Sequence, residues 1–515
     1  MAFQRVDWRK WWIRKKQKRR HKKAPLMLLL RRFFVVGVGL LSTVTIARLV
    51  GPKAYGLASM AGMVLLLAQM FRDFGVTSAL LRKRIVSAEE RSFLFWFNTA
   101  TTTVLALGLA IAAPFIADFY KEPVVALTVL VSALGFWCGG VSLQHRSILL
   151  RDMRFAEIAW IDTVAVAVNF AVSLAVALVR HDVWAIVFGN LAQQVTGGSL
   201  YVLKSRFVPG RPRLIEGFGE ILKFGANMSV FTISTFLSDN LGAILIGQSM
   251  GAAPLGQYNR AQNLFSLPNQ NLVQPIAQAT MPLLTHLRAD PAAYREAYLN
   301  LVRTLSTLLV PSAVLLAFAG RPLTIVLLGP RWDEAGVMLS ILAPALALMG
   351  LLYSLNDLFM TQDRSDELRT IGLAEMVFRV ASVCIGVMFG LVGIALAYSI
   401  SSAIVCVIRV NIAGRKGPVT AKDQMMQLLP ALPIGLVCTV SCLLTKIWLW
   451  QSSRPAVIEL ACLIGAAFLG GLMAMIFNPS RRAIIELFQT FGMPTGILEK
   501  INGRSKSVSS QAKKI

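Results

Sequence analysis

The sequence has few of the residues that build catalytic or metal centres. Its 515 residues include only six cysteines and four histidines. The cysteines all fall within apolar segments and none is spaced as CxxC, so the sequence indicates neither a metal site nor a disulfide framework. It also lacks the GxxxxGK[ST] phosphate-binding motif, which argues against a process driven by ATP.

Charged residues are also scarce, and among them acidic residues are half as frequent as basic ones. Only 15% of the residues are charged, 26 acidic against 52 lysines and arginines, while 55% are hydrophobic and the mean hydropathy is +0.61. Such a chain does not fold as a water-soluble globule, and its composition is typical of a polytopic membrane protein. The net charge of +26 does not indicate nucleic-acid binding, because lysine and arginine are concentrated in the amino-terminal tail and in alternate loops.

The apolar segments set the predicted organisation. About fourteen of them are long enough to span a bilayer as helices. Basic loops alternate with loops that hold only scattered cations, so the positive-inside rule places both termini in the cytoplasm. The sequence predicts an all-α protein with a basic tail over 1–32, a six-helix bundle over 33–205, a second bundle over 219–411, two extra helices over 427–477 and a cytoplasmic tail over 478–515.

The amino-terminal tail combines positive charge with tryptophan. Residues 1–23 are rich in lysine and arginine, interleaved with Trp8, Trp11 and Trp12. Such a segment binds an anionic membrane surface, where each cation contributes about 1 kcal/mol. A secretory signal peptide is the alternative, but the basic part is long and no small-residue cleavage site follows it. We therefore predict an uncleaved anchor that contacts anionic lipids.

Several landmarks of the first half recur in the same order roughly 200 to 212 positions later. They are the glycine-bounded turns 51–56 and 251–256, the helix-weakening Gly75 and Pro275, segments 114–120 and 322–328, and segments 142–145 and 354–357. The repetition predicts two homologous six-helix bundles. Because six is even, both bundles should have the same orientation and be related by an axis along the membrane normal, with a transport path in the cleft between them.

The segment 257–280 is long enough to cross a membrane but is unusually polar. Its polar residues recur every three or four positions and should share one helical face; they are Asn259, Asn263, Ser266, Gln270, Gln274 and Gln278. Interhelical hydrogen bonds, worth about 0.6 kcal/mol each, are the alternative explanation. A whole face of amides favours instead a helix that lines a hydrophilic cavity and binds a sugar chain together with Arg260.

Some of these stretches resemble a known transporter family. The turn GPKAYG at 51–56, the run RDFGVTSAL at 72–80, the loop LRDMRF at 150–155 and the segment 251–260 are similar to the polysaccharide transporter branch of the MOP exporter superfamily. The resemblance implies flipping of undecaprenyl-diphosphate-linked oligosaccharides across the bacterial inner membrane, for exopolysaccharide, O-antigen or capsule assembly. It also implies kinship with MATE drug antiporters and with the lipid II flippase.

A lipid diphosphate carries about two negative charges, so it needs arginine donors whose planar guanidinium matches phosphate oxygens. Arg72, Arg260 and Arg379 lie in apolar segments rather than in loops. Arg72 adjoins Asp73, so a structural pair or ligand contact would both explain it. Arg379 follows Glu375 by four residues, the favourable order for an intrahelical ion pair. Arg260 has no adjacent acid and is the first choice for phosphate or sugar contact.

Polar residues in two other apolar segments complete the predicted site. Asn169 belongs to the fifth segment, and Asp239 and Asn240 belong to the seventh. An ionised carboxylate inside a membrane is costly, so Asp239 should be paired, protonated or bound to a cation. Coupling of transport to H⁺ or Na⁺ at Asp239 and a buried salt bridge with Arg260 fit the sequence equally well. No other cofactor is indicated.

The predicted function is secondary transport by alternating access rather than enzyme catalysis. The substrate would be a lipid-linked oligosaccharide, with the prenyl tail left in the lipid, and a polysaccharide polymerase and export machinery would be partners. A MATE-like, ion-coupled antiporter of drugs or small molecules is one alternative. A membrane polysaccharide polymerase or ligase is another, but its site would need a sizeable extracytoplasmic loop, and the predicted outer loops are short.

Overall fold

The computed structural model describes residues 8–73, 87–212, 236, 240–450 and 455–477, and within these ranges it contains helices and turns but no strand. Ten helical stretches of the described chain are long and apolar enough to cross a membrane. The all-α membrane class is therefore confirmed. The count of fourteen spans and the two six-helix bundles stay predictions, since residues 213–235 lie outside the described ranges.

The described residues form two compact units. The N-terminal unit contains the described residues up to Asn240 together with Gly247–Gly256, and the C-terminal unit contains Leu241–Ile246 and the described residues from Gln257 onward. Each unit has its own buried core and is considered separately below. The domain boundaries predicted at 33–205 and 219–411 are not tested by this division.

Helices of the N-terminal unit follow the predicted spans. They are α1 Trp8–Asp73, α2 Ala88–Tyr120, α3 Val124–Arg151, α4 Phe155–Arg180 and α5 Trp184–Ser205. The described part of α6, residues 240–250, is divided between the two units, with 240 and 247–250 in the N-terminal unit. The backbone of α1 is broken at Gly51, with φ 76° and ψ −178°, where the sequence predicts a turn. Helix α5 packs against α3 and α4, and α1 packs against the same two helices.

The C-terminal unit begins with an interrupted helix. Its helices are α7 Ala252–Pro268 from Gln257 onward, a π-helical turn Asn269–Val273, α8 Gln274–His286, α9 Pro291–Leu328, α10 Asp333–Thr361, α11 Ser365–Val387, α12 Gly390–Arg415, α13 Ala421–Met426, α14 Ala431–Trp450 and α15 Ala456–Met473. Helix α10 packs against α9 and α12, and the α14/α15 pair packs against α9.

Local hydrogen bonds fix where the long helices begin and end. Ser87 and Glu90 form a capping box at the start of α2, with distances of 3.1 and 2.9 Å. The Asp290 carboxylate accepts hydrogen bonds from the Ala292 and Ala293 amides at the start of α9. These side chains satisfy amide groups that have no partner within their own helix, so they set the first turn of each helix.

Left-handed backbone conformations recur along the chain. The described residues with positive φ form five pairs, Gly51 and Gly251, Lys121 and Gly329, Met153 and Asp363, His181 and Gly390, and Arg206 and Gly417. The members of each pair lie about 200 to 211 positions apart, in the same order in both halves. Each marks a helix end or kink, so the backbone repeats with the spacing that the sequence landmarks show.

The loop 151–154 and the loop 361–364 show the repeat in detail. In the first, the Arg154 amide donates to the Leu149 carbonyl at 2.9 Å, and in the second the Arg364 amide donates to the Phe359 carbonyl at 2.9 Å. Each arginine then forms a bidentate pair with the glutamate three residues later. The family-like LRDMRF loop is thus a helix corner that occurs once in each half.

The two glycine-bounded turns cross each other at close range. A Cβ atom on Gly56 would lie 1.7 Å from the Ala252 carbonyl oxygen, and one on Gly256 would lie 2.0 Å from the Pro52 carbonyl oxygen. Real atoms never approach so closely, so this reciprocal backbone contact requires glycine at both positions. The landmark turns found in the sequence are therefore partners in the structure.

Candidate functional site

The N-terminal unit contains a cavity of about 230 Å³ lined by residues of α1, α3 and α5. We call it the amide cavity, because its polar lining consists of Gln69, Ser132, Asn190, Gln193 and Gln194. None of the described lining residues has a charged side chain. Planar amides each offer one acceptor and two donor hydrogens, which suits hydroxyl-rich, uncharged ligands.

Asn169 of α4 holds two of these amides in place. Its Nδ2 atom donates to Asn190 Oδ1 at 3.1 Å and to Gln193 Oε1 at 3.0 Å. Because the oxygens of Asn190 and Gln193 accept these bonds, their NH₂ groups are left to bind another acceptor. The predicted residue Asn169 therefore supports the cavity wall rather than standing alone on its helix.

Arg72 lies beside the amide cavity. Its guanidinium carbon is 5.1 Å from the ring centroid of Phe136, which is one of the lining residues. A guanidinium over an aromatic face is stabilised by the ring quadrupole. The structure thus brings two sequence-predicted residues, Arg72 and Asn169, to the same cavity.

The C-terminal unit contains a second cavity, of about 200 Å³, between α10, α11 and α12. We call it the arginine cavity, because Arg379 and Arg409 line it together with Glu375. The remaining polar lining is Tyr353, Asn356, Tyr398, Ser401 and Ser402. The described linings of the two cavities therefore differ, with amides in one and arginines with a glutamate in the other.

Glu375 joins the two arginines of the arginine cavity. Arg379 Nη2 lies 3.1 Å from Glu375 Oε1, so the ion pair expected from their spacing of four residues is present. Its guanidinium carbon is also 5.6 Å from the ring centroid of Tyr398. The other glutamate oxygen accepts a hydrogen bond from Arg409 Nη2. Arg379 is thus paired as its spacing from Glu375 predicts and also lines a cavity, while its contact with a ligand stays a prediction.

Arg409 is a site residue that the sequence analysis does not single out. It is only 8% exposed and donates from Nη1 to Asn356 Oδ1 at 2.7 Å. Its position near the end of the apolar segment 391–411 makes it look like one of the basic residues that follow that segment. Arg409 precedes Arg415, the first basic residue of the loop, by more than one helical turn. This spacing could have shown that Arg409 lies within the membrane span.

The polar face predicted for 257–280 is interrupted. The π-helical turn Asn269–Val273 inserts one residue into the helix and rotates the following face by about 100°. Counted at about 100° per residue with one residue inserted, Gln274 and Gln278 lie within about 40° of Asn259, as Asn263 and Ser266 do, so one shared face stays a prediction. Six residues that were predicted to line a cavity line neither the amide cavity nor the arginine cavity. They are Asn259, Asn263, Ser266, Gln270, Gln274 and Arg260.

Two other residues of this stretch make specific contacts. Gln257 is buried, donates to the Arg331 carbonyl at 2.8 Å and accepts from the Ala335 amide at 3.0 Å. Asn269, also buried, lies 2.6 Å from the hydroxyl of Tyr353, a lining residue of the arginine cavity. Gln257 is therefore a structural clamp, and Asn269 connects the segment to a cavity.

The residue predicted to bind the coupling ion, Asp239, lies outside the described residues, and so does the helix-weakening Gly75. Asn240 lies in α6, where its Nδ2 atom donates to the Phe236 carbonyl at 2.9 Å. The role of Asp239 in coupling stays a prediction.

The fold matches solved membrane transporters. A structure of the lipid II flippase MurJ, in an inward closed conformation, aligns with 87% of this chain and 99% of that chain, with a TM-score of 0.67 and 14% identity. An inward-facing multidrug resistance MATE family transporter of the MOP superfamily aligns with 73% of this chain and 93% of that chain, with a TM-score of 0.53 and 16% identity. The chain is a multi-pass helical membrane protein with the fold of the MOP superfamily.

The chain belongs to the polysaccharide biosynthesis protein family, whose model matches residues 45–337. It is 22% identical to the lipopolysaccharide biosynthesis protein WzxC of Escherichia coli K12, over 71% of this chain and 75% of that protein. It is 26% identical to the teichuronic acid biosynthesis protein TuaB of Bacillus subtilis 168, over 54% and 58%. It is 24% identical to the succinoglycan biosynthesis transport protein ExoT of Rhizobium meliloti 1021, over 60% and 62%. The family resemblance noted in the sequence is confirmed.

Proposed function

We propose that this protein moves undecaprenyl-diphosphate-linked oligosaccharide repeat units across the bacterial inner membrane for the assembly of a surface polysaccharide. Family membership and the relatives named for polysaccharide biosynthesis and transport support the substrate class. The single structural observation that carries the proposal is the amide cavity. Its described lining presents amide and hydroxyl groups from helices of a membrane protein, with Arg72 beside it.

The chemistry of the amide cavity suits a sugar chain. Buried polar groups are costly in a membrane unless they bond to protein, water or a ligand. Four amide side chains from two different helices meet in the amide cavity; they are Gln69, Asn190, Gln193 and Gln194. These are more amides than the hydrogen bonds between two packed helices require. A glycan supplies both donors and acceptors to such a wall without any counter-charge.

Transport would proceed by alternating access, with the two predicted six-helix bundles opening to one side of the membrane at a time and the prenyl tail remaining in the lipid. Directionality requires an energy source, for which we propose H⁺ or Na⁺ coupling at Asp239. The basic segment 1–23 would bind anionic lipids of the cytoplasmic leaflet. A polymerase and export machinery would receive the flipped units.

A deletion strain tests the function. We expect it to accumulate lipid-linked repeat units on the cytoplasmic side, and a plasmid copy of the gene to restore polysaccharide. The position of the units is measured by their accessibility to a glycan-modifying enzyme added outside spheroplasts. Flipped but unpolymerised units would identify a polymerase or ligase instead. Normal polysaccharide with drug hypersensitivity would identify a MATE-like antiporter, whose fold this chain shares.

A further inference from the structure

The amide cavity presents hydrogen-bond donors that the protein leaves unused. Asn169 donates through Nδ2 to the side-chain oxygens of both Asn190 and Gln193. An amide group consists of one acceptor oxygen and one NH₂ donor group, so the two α5 amides keep their NH₂ hydrogens. Among the described residues, neither NH₂ group finds an acceptor. Asn190 is exposed and Gln193 is half-buried, and both line the cavity, so a ligand there can reach these donors.

The two α5 amides are held next to each other by one nitrogen atom. Asn190 and Gln193 are three positions apart in α5, so they lie on the same helical face. Their oxygens lie 3.1 and 3.0 Å from Asn169 Nδ2. The paired NH₂ groups are therefore positioned before any ligand binds, which lowers the entropy cost of binding.

A network that only joins α4 to α5 is the competing explanation. Asparagine and glutamine often form hydrogen bonds between membrane helices. Such a network needs the donors of Asn169 and the two α5 oxygens, and it gives no role to the remaining NH₂ groups. Polar groups within a membrane are costly unless protein, water or a ligand bonds to them, so the paired donors favour a ligand that accepts.

We propose that the amide cavity recognises a sugar with a carbonyl substituent, which is the acetamido group of an amino sugar or the carboxyl group of a uronic acid. A carbonyl oxygen has two lone pairs and accepts from both NH₂ groups, whereas a sugar hydroxyl also carries a hydrogen for which these groups offer no acceptor. The uncharged described lining suits the acetamido group, and Arg72 beside the cavity suits the carboxyl group. The inference rests on the proposed function for a glycan ligand and adds the kind of sugar.

Gln193→Glu separates recognition of a sugar from a purely structural network. The substitution keeps the size of the side chain and an oxygen for Asn169 to donate to, but a second oxygen replaces the NH₂ donor. In a network that only joins helices, sugar binding stays unchanged. In the proposed site, binding of the carbonyl-bearing sugar weakens about five- to tenfold, as expected for one lost hydrogen bond. Asn190→Asp makes the equivalent change at the other amide.

The test uses the full-length protein in phosphatidylcholine nanodiscs and three soluble trisaccharides. Saturation-transfer NMR titrations compare triacetylchitotriose, trigalacturonate and cellotriose, which has a hydroxyl where triacetylchitotriose has each acetamido group. Asn411→Asp is the control for the added negative charge, because Asn411 is exposed and bonds only to the Val407 carbonyl of its own helix. We expect the wild type and this control to bind triacetylchitotriose, trigalacturonate or both about tenfold more tightly than cellotriose.

Each outcome supports or overturns the proposal. A preference for triacetylchitotriose that Gln193→Glu loses supports an amino sugar, and charge repulsion cannot cause that loss because the ligand is uncharged. A preference for trigalacturonate supports a uronic acid if the uncharged Gln193→Met also loses it. Equal binding of all three trisaccharides by the wild type, no binding at tens of millimolar, or an unchanged preference in the folded variants overturns the proposal.

Two further comparisons keep the result decisive. If no variant at position 193 or 190 folds, the preference of the wild type among the three trisaccharides decides. The deletion-strain assay does not depend on the kind of sugar. Transport without a preference for carbonyl-bearing sugars would therefore overturn this inference and leave the proposed function standing.

Discussion

Asn169 is the residue on which the arrangement of the amide cavity most directly depends. We expect Asn169→Leu to lower polysaccharide production about tenfold, because it removes two hydrogen bonds of about 1 kcal/mol each and leaves Asn190 and Gln193 without their donor. Production is measured against the amount of protein in the membrane. Asn411→Leu is the control, since its exposed amide bonds only to the Val407 carbonyl of its own helix. Equal polysaccharide production by both variants would show that transport does not depend on the amide cavity.

Gln257 and Gln278 belong to the same polar stretch but differ in what they contact. Gln257 is 6% exposed and bonds to the Arg331 carbonyl and the Ala335 amide, whereas Gln278 is exposed. We expect Gln257→Leu to destabilise the protein by about 1 to 3 kcal/mol, because the buried Ala335 amide and the part-buried Arg331 carbonyl lose their partner. Gln278→Leu should change stability by less than about 0.5 kcal/mol. Thermal unfolding in detergent measures both, and equal melting temperatures would show that Gln257 is not a clamp.

At the scale of the secondary-structure element, the close contact of the two glycine-bounded turns is the feature most sensitive to substitution. Gly56→Ala or Gly256→Ala places a methyl group within 2.0 Å of a carbonyl oxygen, so the turns must separate. We expect a loss of several kcal/mol of stability, or failure to accumulate in the membrane. Gly108→Ala is the control, because nothing lies within 4 Å of its Cβ position, and helix propensity should make it neutral or slightly stabilising. Unchanged accumulation of both turn variants would contradict the contact.

The helical elements were largely predictable, whereas their interruptions were only partly so. Apolar length and alternating charge predict α2, α3, α4 and α9 to α12, because those signals are carried by many residues at once. The break at Gly51 was predictable from a Gly-Pro pair, and the structure places it there. The π-helical turn Asn269–Val273 was not, since a single inserted residue leaves no mark on composition.

The sequence predicted some of the residues at the two cavities but not most of their lining. Of the residues predicted for the site, Asn169, Arg72 and Arg379 lie at the two cavities, and their part in binding stays a prediction. The lining residues Asn190 and Gln193 and the buried Arg409 were missed. Their roles depend on which helices pack together, and that information is carried by long-range contacts rather than by local spacing.

At the scale of the whole molecule, α5 links the candidate site to the topology. It is a helix of 22 residues, yet it is not among the ten stretches that are apolar enough to cross a membrane. The residues that lower its hydropathy include Asn190, Gln193 and Gln194, which line the amide cavity. A helix that lines a polar chamber needs less apolar surface than one surrounded by lipid, so hydropathy alone underestimates the number of spans.

If α5 spans the membrane, three helices separate Lys121 from Arg211, and another three, α10 to α12, separate Arg331 from Lys416. An odd number of crossings places the ends on opposite sides, with the more basic ends in the cytoplasm. In a variant without the native cysteines, we expect cysteines at positions 121 and 331 to react with a membrane-impermeant maleimide in intact spheroplasts. Cysteines at positions 211 and 416 should react only after permeabilisation. Labelling of position 211 in intact spheroplasts would mean that α5 does not cross, and the six-helix repeat would then be wrong.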